Sequence, residues 1–244
     1  MNYGCKGLAV VITGGTSGIG RACAECLLAE GAEVFVLARH AQHVEAVDGA
    51  GATVQARFIA CDVRNADSVA AAVAELKKQA GRVDILINSA GIYREQRLES
   101  VTEADYQEMM DTNVKGTVFM CRGILPLLNY GCIVNVASDA GIRGNYGCAL
   151  YSASKGAVVA FTKSLALDLA PQVRVNCVCP GDVDTPMMTE QCRIGHYTVE
   201  ECGAVYPLGR IARVEEVAHV ICSVASPANS FMTGAVVSVD GGLS

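Results

Sequence analysis

Short, continuously apolar runs alternate along this chain with longer segments in which apolar and small residues recur every three or four positions. The first run, residues 8–12, has no polar position on either face, as a parallel strand covered on both sides requires. Runs at 33–38, 53–61, 83–87, 132–137, 173–179 and 234–239 are predicted as further strands. Helical spacing over 21–30, 66–80, 151–170 and 214–225 predicts helices, with Gly31 and Gly81 as stops after the first two. Two more are expected from Thr102 and over about 113–128, the latter with Pro126 in its last turn. This alternation predicts an α/β fold, a doubly wound, seven-stranded parallel sheet with helices on both faces. Residues 182–206, broken by Pro186, Gly195 and Gly203, read as an irregular segment, either a lid over the sheet or an inert loop.

The 244 residues contain no Pro-rich or charge-run linker, so one domain over 1–244 is expected. A formal charge of −6 without a Lys/Arg cluster argues against nucleic acid or an anionic membrane as partner. The longest apolar runs, 7–13 and 157–161, are far shorter than the ~20 residues of a membrane span. The N-terminus lacks a basic region followed by an apolar one, so a cytoplasmic protein is expected. Twelve cysteines sit within helix- and strand-like patterns, which suits reduced, buried thiols better than a disulfide scaffold. Cys23-x-x-Cys26 and Cys177-x-Cys179 are not followed by a second close pair, and His40, His43, His196 and His219 are scattered, so no metal is expected.

Chemistry enters where strands end. The run 8–12 leads into Thr13–Gly14–Gly15–Thr16–Ser17–Gly18–Ile19–Gly20 and then a helix, and such a turn lets the backbone approach a pyrophosphate at the helix N-terminus. The second strand ends at Arg39–His40, where an arginine can pair with the 2′-phosphate of NADP or merely stack on adenine. Asn88–Ser89–Ala90–Gly91 leaves room for a ligand at the fourth strand's end, or forms a plain tight turn. Asn113 within a helical pattern marks a bulge, a water site or a polar face. Tyr151 and Lys155 lie four apart on one helical face, where an ammonium would favour the phenolate and make Tyr151 a general acid/base. The same spacing also suits a half-buried tyrosine beside a surface lysine.

Taken in order, Thr-Gly-x-x-x-Gly-x-Gly at 13–20, Asn-Ser-Ala-Gly at 88–91, Asn113, Ser138, Tyr151-x-x-x-Lys155 and Pro180–Gly181 resemble the short-chain dehydrogenase/reductase family, in its compact Rossmann-fold branch. The likeness runs from Lys6 to Gly242, and the stretches at 207–210 and 233–234 look most like 3-oxoacyl-carrier-protein reductases and hydroxysteroid or polyol dehydrogenases. The resemblance implies that Tyr151 exchanges a proton with the substrate oxygen, Lys155 lowers the Tyr151 pKa and holds the nicotinamide ribose, and Ser138 donates a hydrogen bond to the same oxygen. Asn113 would hold a water linking Lys155 to solvent. By the same likeness Gly14, Ser17, Gly18, Ile19 and Gly20 line the pyrophosphate, and Arg39 and His40 the adenosine ribose. Asp62 and Val63 would line the adenine, Asn88, Ala90 and Gly91 the inner ribose, and Pro180, Gly181, Val183 and Thr185 the carboxamide. Ser89 replaces the second asparagine common in the family, and Arg39 the acidic residue of NAD-preferring members.

The function expected is therefore an NADP-dependent oxidoreductase that interconverts a secondary alcohol and a ketone, on a hydroxysteroid, bile acid or 3-oxoacyl thioester. The alternatives are an NAD-dependent polyol or sugar dehydrogenase and a dinucleotide sensor without turnover; an epimerase of the extended branch would need a further substrate domain. Arg94, Arg97 and Arg143 suggest an anionic substrate group or are simply solvated. Tyr146, Met187, Met188, Tyr197 and Tyr206 offer an apolar wall or pack the lid. The family expectation is a homodimer or homotetramer through the helices at 113–128 and 151–170 with the last strand; Ala157, Ala160 and Ala166 suit close helix packing there or an interface within the chain.

Overall fold

The computed structural model describes residues 2–244. In chain order the elements are β1 (Ala9–Thr13), α1 (Gly18–Ala29), β2 (Glu33–Ala38), β3 (Glu45–Val47), β4 (Thr53–Gln55), β5 (Arg57–Ala60), α2 (Ala66–Gln79) and β6 (Val83–Asn88). Then come α3 (Glu103–Met110), α4 (Gly116–Ile124), β7 (Leu128–Val136), α5 (Ala140–Arg143), α6 (Ala149–Leu169) and β8 (Arg174–Pro180). The last are α7 (Pro186–Gly195), α8 (Val199–Gly203), α9 (Val214–Ala225) and β9 (Val236–Val239).

Seven strands form one parallel sheet in the order β5-β2-β1-β6-β7-β8-β9. Both faces are covered, which explains the unbroken apolar runs. Val10 and Ile12 of β1 pack toward α1 and α9, while Ala9 and Val11 pack toward α2 and α4. Nine of the twelve cysteines are buried, among them Cys23 and Cys222 between α1 and α9. In-register pairing sets Thr13 level with Asn88, and Asn88 level with Asn135. The chain leaves β1 toward β2 on one side and β6 on the other, so the motifs at 13–20, 88–91 and 138 meet at this switch point, where open α/β sheets bind their ligands.

Three segments differ from the sequence reading. The strand expected over 53–61 is split, because β4 pairs antiparallel with β3 while only β5 joins the sheet. Its alternation explains this: Val54 faces the core beside α1, while Thr53 and Gln55 face solvent. The helices expected from Thr102 and over 113–128 are one continuous rod, in which α3 passes through a π-turn at Asp111–Lys115 into α4. Pro126 lies in the 3-10 turn that follows α4. Residues 182–206 are helical rather than irregular: Thr185 caps α7 with Pro186 behind it, and Thr198 with Glu201 forms a capping box on α8.

Candidate active site

A crevice of about 960 Å3 runs along the C-terminal ends of β1, β2, β6, β7 and β8. At one end the β1–α1 turn forms a backbone cradle. Gly14 has φ +66° and passes so close to the next turn that a Cβ would stand 2.9 Å from Ala90 Cα. Ser17 makes no side-chain cap, which leaves the first amides of α1 directed at the crevice. Gly14, Ser17, Gly18 and Ile19 line this part, with Thr185 of the opposite loop against Gly18. Gly20 does not line it; a Cβ there would meet Gly14 O at 2.5 Å, so its role is to let the helix pack under the turn.

Arg39 and His40 border the crevice at the end of β2. Arg39 is exposed and has no ion pair among the described residues. Asp62 and Val63 line the same end, and Arg64 holds the Asp62 carboxyl below its usual range through a hydrogen bond, with Nη2 at 2.7 Å. Ala90, Gly91, Pro180, Gly181 and Val183 continue the wall. Asn88 stands behind it, with Nδ2 donating to Asn135 Oδ1 at 2.9 Å.

Tyr151, Ser138 and Lys155 meet in the middle of this wall. The Tyr151 ring is held edge-on by Tyr93, with centroids 4.8 Å apart at 78°. Burial pushes the Tyr151 phenol above the usual tyrosine value, opposed by a hydrogen bond with Ser138. Lys155 is not among the main influences on that value. Its ammonium lies 5.8 Å from the Tyr151 ring centroid and donates to Val136 O at 3.0 Å. Burial instead lowers Lys155 itself to about 8, because a dry pocket disfavours the cation.

Asn113 sits in the π-turn and is 1% exposed. Its Oδ1 accepts from Ile92 N at 2.8 Å, and its Nδ2 donates to Ile92 O and to Ser154 Oγ, each at 3.0 Å. The amide is thus a clamp on the segment after Gly91, outside the crevice wall. A Cβ on Gly91 would stand 3.3 Å from Asn113 Oδ1 and 3.4 Å from Lys155 Nζ.

The outer part of the crevice is walled by Tyr146, Met187, Met188, Tyr197 and Tyr206. Of the three arginines, Arg94 is turned to Asp105 and Glu108, and Arg97 to Glu99. Only Arg143 lines the crevice, paired with Asp139 at 3.2 Å. Sequence reasoning missed Tyr93, Glu95, Asp139 and Asp182, all on this wall. An acid directly after Ser138, with an arginine four positions on, was the legible signal.

A glycine-turn backbone cradle and a Tyr–Ser–Lys cluster on one crevice are the equipment of a nicotinamide-dependent oxidoreductase. A family model described as enoyl-(acyl carrier protein) reductase matches residues 14–244. The short-chain reductase NovJ of Streptomyces niveus is 39% identical over 242 residues, covering 95% of this chain and 92% of its own. A 3-oxoacyl-[acyl-carrier-protein] reductase of Thermotoga maritima is 35% identical over 244 residues, 98% of each chain. The ligand-free aldohexose dehydrogenase of Thermoplasma acidophilum superposes with a TM-score of 0.91 at 31% identity, over 100% of this chain and 96% of its own. The chain belongs to the short-chain dehydrogenase/reductase family. No helix among the described residues is long and apolar enough to cross a membrane.

Proposed function

We propose that this protein is an NADP-dependent oxidoreductase that interconverts a secondary alcohol and a ketone, with Tyr151 as the proton carrier. The observation that carries the reading is the convergence of Tyr151, Ser138 and Lys155 on the crevice wall beside Pro180 and Gly181. The nicotinamide, when bound, supplies or takes the hydride. Gly14, Ser17, Gly18 and Ile19 hold the pyrophosphate through backbone amides, and Arg39 meets the 2′-phosphate. Asp62 and Val63 border the adenine, Ala90 and Gly91 the inner ribose, and Val183 and Thr185 the carboxamide. Lys155 holds the ribose hydroxyls with its remaining protons. Tyr151, kept protonated by burial, gives its proton to the substrate oxygen in reduction. Asn113 positions Ile92 and the adjoining Gly91 beside Lys155.

A second reading, a polyol or sugar dehydrogenase, is favoured by the outer wall. Glu95, Asp139 and Asp182 supply acceptors suited to hydroxyl groups, and burial raises Asp182 above its usual value. An acyl thioester or steroid would use the Tyr146, Met187 and Tyr206 side of that wall, with α7 and α8 as lid. Homo-oligomer contacts fit α6, where Leu167 is 83% exposed and Ala160 is exposed, although Ala166 faces the core. The test is absorbance at 340 nm with NADPH and NADH against ketosteroids, oxoacyl thioesters, diketones and sugars. Turnover with NADPH supports the reading, whereas cofactor binding without turnover across the panel would make the protein a dinucleotide sensor.

A further inference from the structure

Tyr93 and Tyr151 stand nearly perpendicular on the crevice wall, with ring centroids 4.8 Å apart and planes at 78°. Tyr93 is fixed at both ends, and each fixing point leads to α6, the helix that carries Tyr151. At the root, the residue before it, Ile92, is gripped by the Asn113 amide on its N–H at 2.8 Å and on its C=O at 3.0 Å. The same amide donates to Ser154 Oγ at 3.0 Å, and that hydroxyl donates to Tyr151 O at 2.7 Å. At the tip, Tyr93 Oη lies 3.2 Å from Sγ of Cys148, the residue directly before α6. Cys148 is buried, and a thiol is a weak hydrogen-bonding group, so this contact sets direction more than it adds energy. The Tyr93 hydroxyl is thus engaged by Cys148, while that of Tyr151 hydrogen-bonds with Ser138.

We propose that Tyr93 is a positioning residue for the proton carrier: its ring, fixed to α6 at both ends, stands against the Tyr151 ring and holds the Tyr151 phenol toward Ser138. This rests on reading Tyr151 as that carrier. The helix sets where the Tyr151 side chain begins, but its partly exposed ring can still swing about the Cα–Cβ bond into the crevice. A perpendicular aromatic neighbour opposes that swing, because its attraction depends on the angle between the rings as well as on their separation. An aliphatic side chain of similar bulk fills the space without that directional preference. Lys155 is no substitute, since its Nζ lies 5.8 Å from the ring centroid and is held by Val136 O. Tyr93 acts on the reaction through Tyr151.

The test uses the full chain with NADPH and three ketone probes, a ketosteroid, acetoacetyl-CoA and diacetyl. In Tyr93→Leu, which keeps apolar bulk and loses the ring, kcat is expected to fall about tenfold while KM and NADPH affinity stay within about twofold. Tyr93→Phe keeps the ring and loses only the tip contact, so its kcat falls about threefold. Cys148→Ala removes that contact from the other side and gives a similar loss, and the double variant with Tyr93→Phe loses no more than either alone. Tyrosine labelled with 13C at Cζ reports the ring without turnover, the Tyr151 signal being the one absent from Tyr151→Phe. That signal is single and narrow in the wild type and in Tyr93→Phe, and split or broadened in Tyr93→Leu; thermal melts check that each variant is folded. A Tyr93→Leu kcat within about twofold of wild type, a Tyr93→Phe as slow as Tyr93→Leu, additive losses in the double variant, or an unchanged Tyr151 signal in Tyr93→Leu overturns the proposal. Absence of wild-type turnover refutes the oxidoreductase reading instead, and the labelled signal then decides by itself whether Tyr93 orders Tyr151.

Discussion

Tyr151 and Lys155 illustrate how burial reverses a charge argument. Spacing alone favours an ammonium that acidifies the phenol, yet burial holds the phenol protonated and moves the lysine toward its neutral form. Tyr151→Phe removes the proton carrier without touching the cradle, so turnover should fall by several orders of magnitude while NADPH affinity, read by fluorescence titration, stays within about twofold. Equal loss of both would give Tyr151 a structural role. For Lys155 the folded value of about 8 lies below the ordinary 10.5, so the unfolded chain binds more proton between these values. Stability from this group therefore rises with pH from about 8 to 10.5, and the cost is present in full below 8. Lys155→Met should abolish turnover yet raise stability near pH 7 on the order of 1–2 kcal/mol, a shift of a few degrees in Tm, after allowing for the lost bond to Val136 O. The gain should shrink toward pH 10.5; a variant that melts lower at neutral pH would refute it.

At the scale of elements, the α3–α4 rod shows why a helix carries a π-turn beside a functional crevice. The extra residue in the turn brings Asn113 to the Ile92 backbone and Ser154, tying β6's following loop to α6. Asn113→Ala leaves the partly buried Ile92 N–H without its acceptor, at a cost of about 1–2 kcal/mol. The expected outcome is a lower Tm with faster amide exchange confined to residues 88–93, checked by hydrogen-exchange mass spectrometry. Uniform exchange across the sheet would contradict the clamp. The helices α7 and α8 make the complementary point. Their start signals, Thr-Pro at 185–186 and Thr-x-x-Glu at 198–201, were present in the sequence but masked by Gly195 and Gly203.

Over the whole molecule the crevice has two ends of different character. The adenosine end offers Arg39 as a cation without an ion pair among the described residues, while the outer wall carries Glu95, Asp139 and Asp182 against Arg143. Arg39→Asp should therefore exchange a favourable phosphate contact for repulsion and turn preference from NADPH toward NADH by about a hundredfold or more in the ratio of kcat/KM values. No change in that ratio would remove Arg39 from the cofactor argument. Most strand positions, the helices at 66–80, 151–170 and 214–225 and the glycine cradle were legible because each rests on local periodicity and turn chemistry, which act within a few residues.

From its own pattern the chain specified the parallel α/β sheet, the position of α9 at 214–225 and the places where chemistry sits, since covering both faces of a sheet demands continuous apolar strands. Tertiary structure alone decided the division of β4 from β5, the π-turn and the upward shift of Tyr151. These depend on water excluded by, and hydrogen bonds shared with, residues that folding brings close. Spacing along a sequence carries neither quantity.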